Sequence, residues 1–285
     1  PTRLMPELLP FLMQTEAFHS YSIKHSKGSV NPYINFSDLA AFAFLLPPIQ
    51  EQARLVELFA ALSAFTNSLS DAFMKAKQCH EALVRHSFRI RKDGSPPSFA
   101  DLPDGWTLSS LIDVADFLNG MRIPLKSSDR SARSGKYPYY GASGIIDWID
   151  DFIFDEDLVL LSEDGANLVD RSAPIAFEAT GRYWVNNHAH VLKPRHPFDN
   201  GTLIEYLDHL SLLQFITGSA QPKLNKEAAE RISIPVPTDK EIGSISKSLS
   251  ESRRAVSGCE DRLEKAKALQ RDLVGRVFDR GEEAA

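Results

Sequence analysis

The chain carries a copy of part of itself. Gly28-Ser29-Val30-Asn31-Pro32-Tyr33-Ile34-Asn35 recurs as Gly218-Ser219-Ala220-Gln221-Pro222-Lys223-Leu224-Asn225, at an offset of 190 residues. The offset continues without a gap: Pro47 falls on Pro237, Glu51 on Glu241, Leu83-Val84 on Leu273-Val274 and Phe88 on Phe278. Such a repeat constrains the fold more than any single motif, because one supersecondary unit must serve twice. Each copy reads as a Gly-Ser loop, a short apolar strand (residues 42–46, then 232–236), a proline stop and a long helix. Proline fixes φ and removes a donor, so Pro47-Pro48, and Pro235 with Pro237, are expected to end the strands. Thr238 or Asp239 is placed to cap the second helix, with Glu241 in its first turn.

The helices run from about residue 49 to 91 and from about 240 to 280. In the first, Leu55, Leu62, Leu69, Ala76, Leu83 and Ile90 recur every seven residues, and Leu58, Phe65, Ala72 and Cys79 form the intervening set. In the second the stripe is Ile242, Ile245, Leu249, Val256, Cys259, Leu263, Ala266, Leu269, Leu273 and Val277. Sustained heptads of this kind argue for a coiled coil. A helix of ~40 residues is ~60 Å long and cannot leave a one-sided apolar stripe unpaired. The simplest partner is the other copy, packed antiparallel, with Leu55, Leu62, Leu69 and Leu83 facing Leu249, Leu263, Leu269 and Leu273.

Arg91-Lys92-Asp93-Gly94-Ser95-Pro96-Pro97-Ser98 is a polar linker. It divides the chain into residues 1–48, a long helix 49–92, a linker 93–104, a complete domain 105–238 and a long helix 239–280. Strands are expected at 106–108, 114–118, 145–148, 158–161, 175–178, 183–185 and 190–192, and a helix at 203–216. The fold class is therefore mixed α/β, with two long helices forming an antiparallel coiled coil. Residues 1–48 match only the end of the complete domain.

At 285 residues and 43% hydrophobic, the chain can bury one large core or two ordinary ones. Its apolar runs fall well short of the ~20 residues that span a bilayer. Pro1-Thr2-Arg3-Leu4-Met5 lacks the pattern of a signal peptide, and the two cysteines, Cys79 and Cys259, lie in helical patterns. A reducing cytoplasm, no membrane and no disulfide are expected. Net charge is −6, yet Arg122, Lys126, Arg130, Arg133 and Lys136 stand together with one acid, Asp129. Nine acids and no Lys or Arg then occupy residues 146–170. The segregation permits a basic binding face on an acidic protein, with the acids turned outward and away from it. The acids lack the glycine and terminal Glu of a calcium loop, and His188-x-His190 lacks a companion Cys/His cluster, so no metal is expected.

Five motifs come in order: Gly105-Trp106-Thr107-Leu108; Tyr137-Pro138-Tyr139-Tyr140-Gly141-Ala142-Ser143-Gly144-Ile145; Asp157-Leu158-Val159-Leu160-Leu161; Trp184-Val185-Asn186-Asn187-His188-Ala189-His190-Val191-Leu192; and Thr217 through Asn225, followed by 232–237. In this order, ending in a long helix, the chain resembles the specificity (S) subunit of type I DNA restriction–modification systems. The resemblance implies two target-recognition domains, each reading half of a bipartite site in double-stranded DNA, spaced by an antiparallel coiled coil. It implies methyltransferase (M) subunits along the helices, joined by restriction (R) subunits. S-adenosylmethionine, Mg and ATP would belong to those partners, and this chain would carry neither cofactor nor catalysis. It implies too that a complete subunit is longer by the missing front of the first recognition domain. Fragment and truncated product both remain open, as does self-association of two S chains. An S-like scaffold that assembles without productive DNA reading is the competing expectation, separable by sizing the chain alone and with M.

Within that frame the basic stretch suits phosphates, which fix register, and amide, hydroxyl and loop groups suit base edges. The candidate DNA-binding residues are Arg122, Lys126, Arg130, Arg133, Lys136, Tyr140, Ser143, Asn186, Asn187, Ser219, Gln221 and Lys223. Asn31-Pro32-Tyr33 is faintly similar to an adenine-methyltransferase motif. It lacks the second proline, and its repeat partner Gln221-Pro222-Lys223 could not serve such chemistry.

Overall fold

The structure is a computed structural model and describes residues 3–218 and 221–278. It divides into two units, one formed by Pro1–Lys77 with Ala255–Ala285 and the other by Gln78–Arg254. The long helices, Ile49–Ser87 and Asp239–Phe278, contribute to both. No described helix is long and apolar enough to cross a membrane.

In the first unit the helices pair antiparallel. Phe59 is fully buried and packs 6.5 Å from the ring of Phe278. Seven residues on, Thr66 donates to Gln270 Oε1 at 3.1 Å, and Gln270 Nε2 donates to Ser63 at 3.2 Å. Leu8 and Leu12 close this core together with Val274, and Leu55, Leu62 and Leu273 pack half-buried around it. The seam therefore follows Gln52, Phe59 and Thr66 and is partly polar. Buried Gln52 is satisfied by Met5 N and Pro47 O, both at 2.8 Å. Two expectations need correction. Leu58 and Phe65 are 45% and 57% exposed, with Ala72 and Cys79 also outside, and Leu269 is 51% exposed. A heptad counted on apolarity alone passes over Gln52, Thr66 and Gln270, whose hydrogen bonds offset the cost of burial. Leu69 is half-buried and Leu263 buried.

The repeat is visible in the backbone. Lys27 bridges Tyr33, and Thr217 bridges Lys223 at the same offset. Gly28 and Gly218 have φ of 90° and 81°, and a Cβ there would stand 2.8 and 2.5 Å from the carbonyls of Asn31 and Gln221. Only glycine closes this loop without strain. One-turn helices Phe36–Ala40 and Lys226–Glu230 follow. The copies then part. Residues 42–46, expected as a strand, form none, and Phe42 packs edge-on to Phe18 and Tyr21 instead. The equivalent strand in the second copy exists because another strand pairs with it, and the first copy has no such partner among the described residues.

The described residues of the second unit hold ten strands: β1 (Thr107–Ser110), β2 (Ala115–Phe117), β3 (Ser134–Gly141), β4 (Gly144–Ile149), β5 (Phe154–Asp155), β6 (Leu158–Ser162), β7 (Ala176–Ala179), β8 (Arg182–Val185), β9 (Ala189–Pro194) and β10 (Ser233–Val236). They form a pair, β1-β10, an antiparallel sheet β2-β9-β6-β7, and a sheet β4-β3-β8-β5 in which β3 and β8 run parallel. β6 is buried at every residue, as its unbroken apolar run demands. Pro235 does not end a strand. It lies inside β10 opposite Leu108, in a two-stranded pair where one missing donor is tolerated. The start of β3 reads as a loop in the sequence, because its Ser, Gly and Pro content hides the alternation that Tyr137 and Tyr139 begin.

The helix Asn200–His209 is capped by Asp199, which accepts from Thr202 N at 2.6 Å. It ends at His209 rather than near residue 216, and a short 3-10 turn, Leu213–Phe215, follows. Its Leu203, Tyr206 and Leu207 share a core with Val84 of the first long helix, with Phe88 just past its end, and with Ile242 and Leu249 of the second, and Leu83 packs at the edge. Trp106 is buried, and its Nε1 donates to Glu241 Oε2 at 2.9 Å.

The seam assignment predicts that Phe59→Ala costs about 3–5 kcal/mol of unfolding free energy. Phe65→Ala should stay within about 0.5 kcal/mol. Urea denaturation of the two variants checks this, and equal losses would contradict the packing.

Candidate nucleic-acid interface

The sequence motifs lie far apart in the chain, and hydrogen bonds draw four of their loops together. Asn186 N donates to Tyr140 O at 3.1 Å, tying the end of β8 to the β3–β4 hairpin. Ser162 Oγ donates to Ala142 O in the same hairpin turn. Glu163 N donates to His188 O at 2.9 Å, and Leu224 N donates to Glu163 O at 2.8 Å. Gly165 N donates to Pro222 O at 3.1 Å, which brings in the glycine loop of the repeat. Residues 140–144, 162–165, 186–190, 217–218 and 221–224 thus form one continuous loop surface.

Glu163 sits at its centre. It accepts from Arg122 Nη1 at 2.7 Å, lies 3.4 Å from Lys223 Nζ and 3.5 Å from His190 Nδ1. Burial pushes its carboxyl up, but the Arg122 hydrogen bond and neighbouring positive charge outweigh this, and the net shift is downward. His190 is fully buried between Asn119 Nδ2 and Leu224 O, and burial pushes its pKa down. Asn119 also accepts from Val191 N at 3.0 Å. Neither Asn119 nor Glu163 stands out in the sequence as a positioning residue, because neither lies in a motif loop with an exposed polar tip.

The candidate residues divide. Arg122 is committed inward to Glu163, Ala189 O and Asn119 O, with its side chain 13% exposed. Arg130 bonds Asp147 Oδ2 and Leu125 O and stacks over Tyr139. Arg133 bonds Asp150 at 2.9 Å and covers Trp184. These three are corrected from a free basic patch to structural ion pairs. The hairpin lays the basic stretch directly against the acids that follow it, so charges segregated in sequence are neutralised in space. The acidic run is accordingly not a face turned away from the bases. Asp155 pairs with Arg182 and Glu156 with Lys193 as well.

Tyr140 is also corrected. It packs among Phe177 and Tyr183, and burial raises its pKa. Asn186 is buried, and its Oδ1 accepts from His188 N at 2.7 Å, which holds a turn. Ser219 lies outside the described residues. Exposed on the loop surface are Ser143, Asn187, Gln221 and Lys223, with His188 set against Asp164 at 2.8 Å. Lys126 and Lys136 are exposed and have no ion pair among the described residues; Lys136 stands over the Tyr137 ring. Beside the turn, β4 exposes Ile145, Ile146 and Trp148 by about half, a feature that no polar motif signals.

The profile of the type I restriction modification DNA specificity domain matches residues 103–263, more than half of the chain. A Haemophilus influenzae protein described as a type I restriction enzyme specificity subunit is 38% identical over 128 residues. That stretch is 45% of this chain and 32% of the relative, so the match spans about a third of the relative's length. The S subunit of a type I restriction-modification system from M. genitalium aligns with a TM-score of 0.64 at 15% identity, covering 96% of this chain and 74% of that one. The HsdS subunit from Thermoanaerobacter tengcongensis aligns with a TM-score of 0.51 at 20% identity, covering 97% and 70%. The structural likenesses show a shared fold, two long paired helices included. By the profile match over most of its length, the chain belongs to the type I restriction–modification DNA specificity family.

Proposed function

We propose that the domain 105–238 reads one half of a bipartite site in double-stranded DNA, and that methyltransferase subunits dock along the two long helices. The observation that carries the first part is the knitted loop surface. Four loops are fixed by backbone bonds and by Glu163, while Ser143, Asn187 and Gln221 stay exposed at their tips. Amide side chains pair with adenine in the major groove, and hydroxyls accept or donate at several base edges. Rigid support beneath them lowers the ordering cost of readout. Lys126, Lys136 and Lys223 supply phosphate contacts, since their side chains reach solvent.

Docking along the helices draws support from Leu58 and Phe65. They stand seven residues apart on the outer face of the first helix, where the intramolecular seam leaves them exposed. In this reading the chain performs no chemistry itself. S-adenosylmethionine, Mg and ATP are bound by the methyltransferase and restriction subunits, which act at the site this chain selects.

Phosphate contacts release counterions, so log affinity falls linearly with log salt. Lys126→Ala with Lys136→Ala should weaken DNA binding by the complex with methyltransferase subunits and reduce the salt slope by about 1 for each phosphate no longer neutralised. Fluorescence anisotropy across a salt series measures it, and an unchanged slope rules these lysines out. Leu58→Glu with Phe65→Glu should leave the chain folded and weaken methyltransferase association by about 2 kcal/mol or more. Co-purification and calorimetric titration read this, and full-strength association would place the docking face elsewhere.

A further inference from the structure

Away from the loop surface, three helices of the second unit converge on a polar cluster that the reading of DNA does not use. His80 comes from the first long helix, Glu205 and His209 from Asn200–His209, and Arg253 from the second long helix. The side chains of His80, Glu205 and His209 are 10%, 4% and 16% exposed. His80 Nε2 lies 3.0 Å from Glu205 Oε2, and His209 Nδ1 lies 3.7 Å from the same oxygen while donating to the Glu205 carbonyl at 2.8 Å, which leaves its Nε2 as the nitrogen with a lone pair. One ligand atom from each residue lies within 4.8 Å of the other two. The imidazole rings meet edge-on, at 74° with centroids 5.7 Å apart, rather than stacked.

We propose that His80, Glu205 and His209 form a binding site for a divalent first-row transition ion, zinc foremost, which clips the first long helix to the helix Asn200–His209. The donor set is two imidazole nitrogens and one carboxylate oxygen. That set suits Zn²⁺ and Co²⁺ and is poor for Mg²⁺ or Ca²⁺, which want oxygen throughout. Metal–ligand bonds of about 2.0–2.2 Å in a tetrahedron place ligand atoms about 3.3–3.6 Å apart. The three ligand atoms lie within 4.8 Å of one another, so loading draws them closer, and His80 Nε2 gives up the proton it shares with Glu205. Water completes the fourth position.

Two further features point the same way. His80 Nδ1 is buried without a hydrogen-bond partner among the described residues. His80 is therefore held at Nε2 alone, and its other ring nitrogen is left without a partner. Glu205 Oε1 accepts from Arg253 Nε at 2.6 Å, which leaves Oε2 directed between the two histidines. A hydrogen-bonded carboxylate of this kind is the usual outer support of a metal ligand. Arg253 is 47% exposed, so its charge is partly screened by solvent as the ion enters. In the sequence the site is invisible, because His80 and Glu205 are separated by 125 residues.

The test is a Co²⁺ titration of the full chain after chelator treatment, followed by visible absorption, with Zn²⁺ followed by calorimetry and by thermal melting. One equivalent per chain should bind, with the ligand-field bands of a four-coordinate ion and a higher unfolding midpoint. His209→Asn removes the most peripheral ligand and leaves Glu205 paired with His80 and Arg253. It should keep the far-ultraviolet dichroism of the parent and weaken binding more than about tenfold. His80→Gln should do the same, and His19→Asn, at an exposed histidine, should change nothing. Failure of the parent chain to bind either ion, or undiminished binding by a folded His209→Asn or His80→Gln chain, would overturn the proposal.

Discussion

A buried carboxylate needs partners, and in this chain Glu205 finds them on both long helices. An unpaired charge at that depth costs several kcal/mol. His80 and Arg253 offset that cost from opposite sides, at 3.0 and 2.6 Å. The helix that carries Glu205 also packs Leu203, Tyr206 and Leu207 into the core beneath β6 and β7. One residue therefore fixes how the sheet-bearing part of the unit is held to the two helices. Breaking either pair would leave the charge stranded, so the arrangement specifies position more than it adds stability.

From that anchorage the sheets extend to the loop surface. Its rigidity comes from backbone bonds between segments far apart in sequence, with Glu163 and buried His190 beneath them. The tips project Ser143, Asn187 and Gln221, while Arg122, Arg130 and Arg133 bond inward. This resolves how a chain of net charge −6 can belong to a DNA specificity family. Arg130 and Arg133 stabilise the hairpin against Asp147, Asp150 and Asp151, while Lys126 and Lys136 stay exposed with no ion pair among the described residues.

The repeat, the long helices and most strands are legible in the sequence, because periodicity and glycine–proline punctuation are local signals. β6 can be read from Leu158-Val159-Leu160-Leu161 alone, and the Gly28 and Gly218 loops from their shared spacing. What escapes depends on pairing at a distance. Residues 42–46 have strand composition but no neighbouring strand, and 134–136 have loop composition but pair into a sheet. The seam escapes because Thr66 and Gln270 are polar and are accommodated through each other and Ser63. At the candidate interface, residue type picks out loops that the fold brings together, and does not show which of their side chains turn inward. Arg122 and Asn186 have the chemistry of DNA contacts, and only the fold shows that Glu163 and the His188 backbone have claimed them.

The central claim is that the loop tips select the DNA sequence. The most direct measurement is the map of methylated adenines in cells that carry this chain with its methyltransferase subunits, repeated with Asn187→Ala and Gln221→Ala. The account predicts a bipartite motif in the parent and relaxed or altered bases in these variants, with the spacing between half-sites preserved. A motif identical in parent and variants, at undiminished methylation, would contradict it and move sequence reading to another surface.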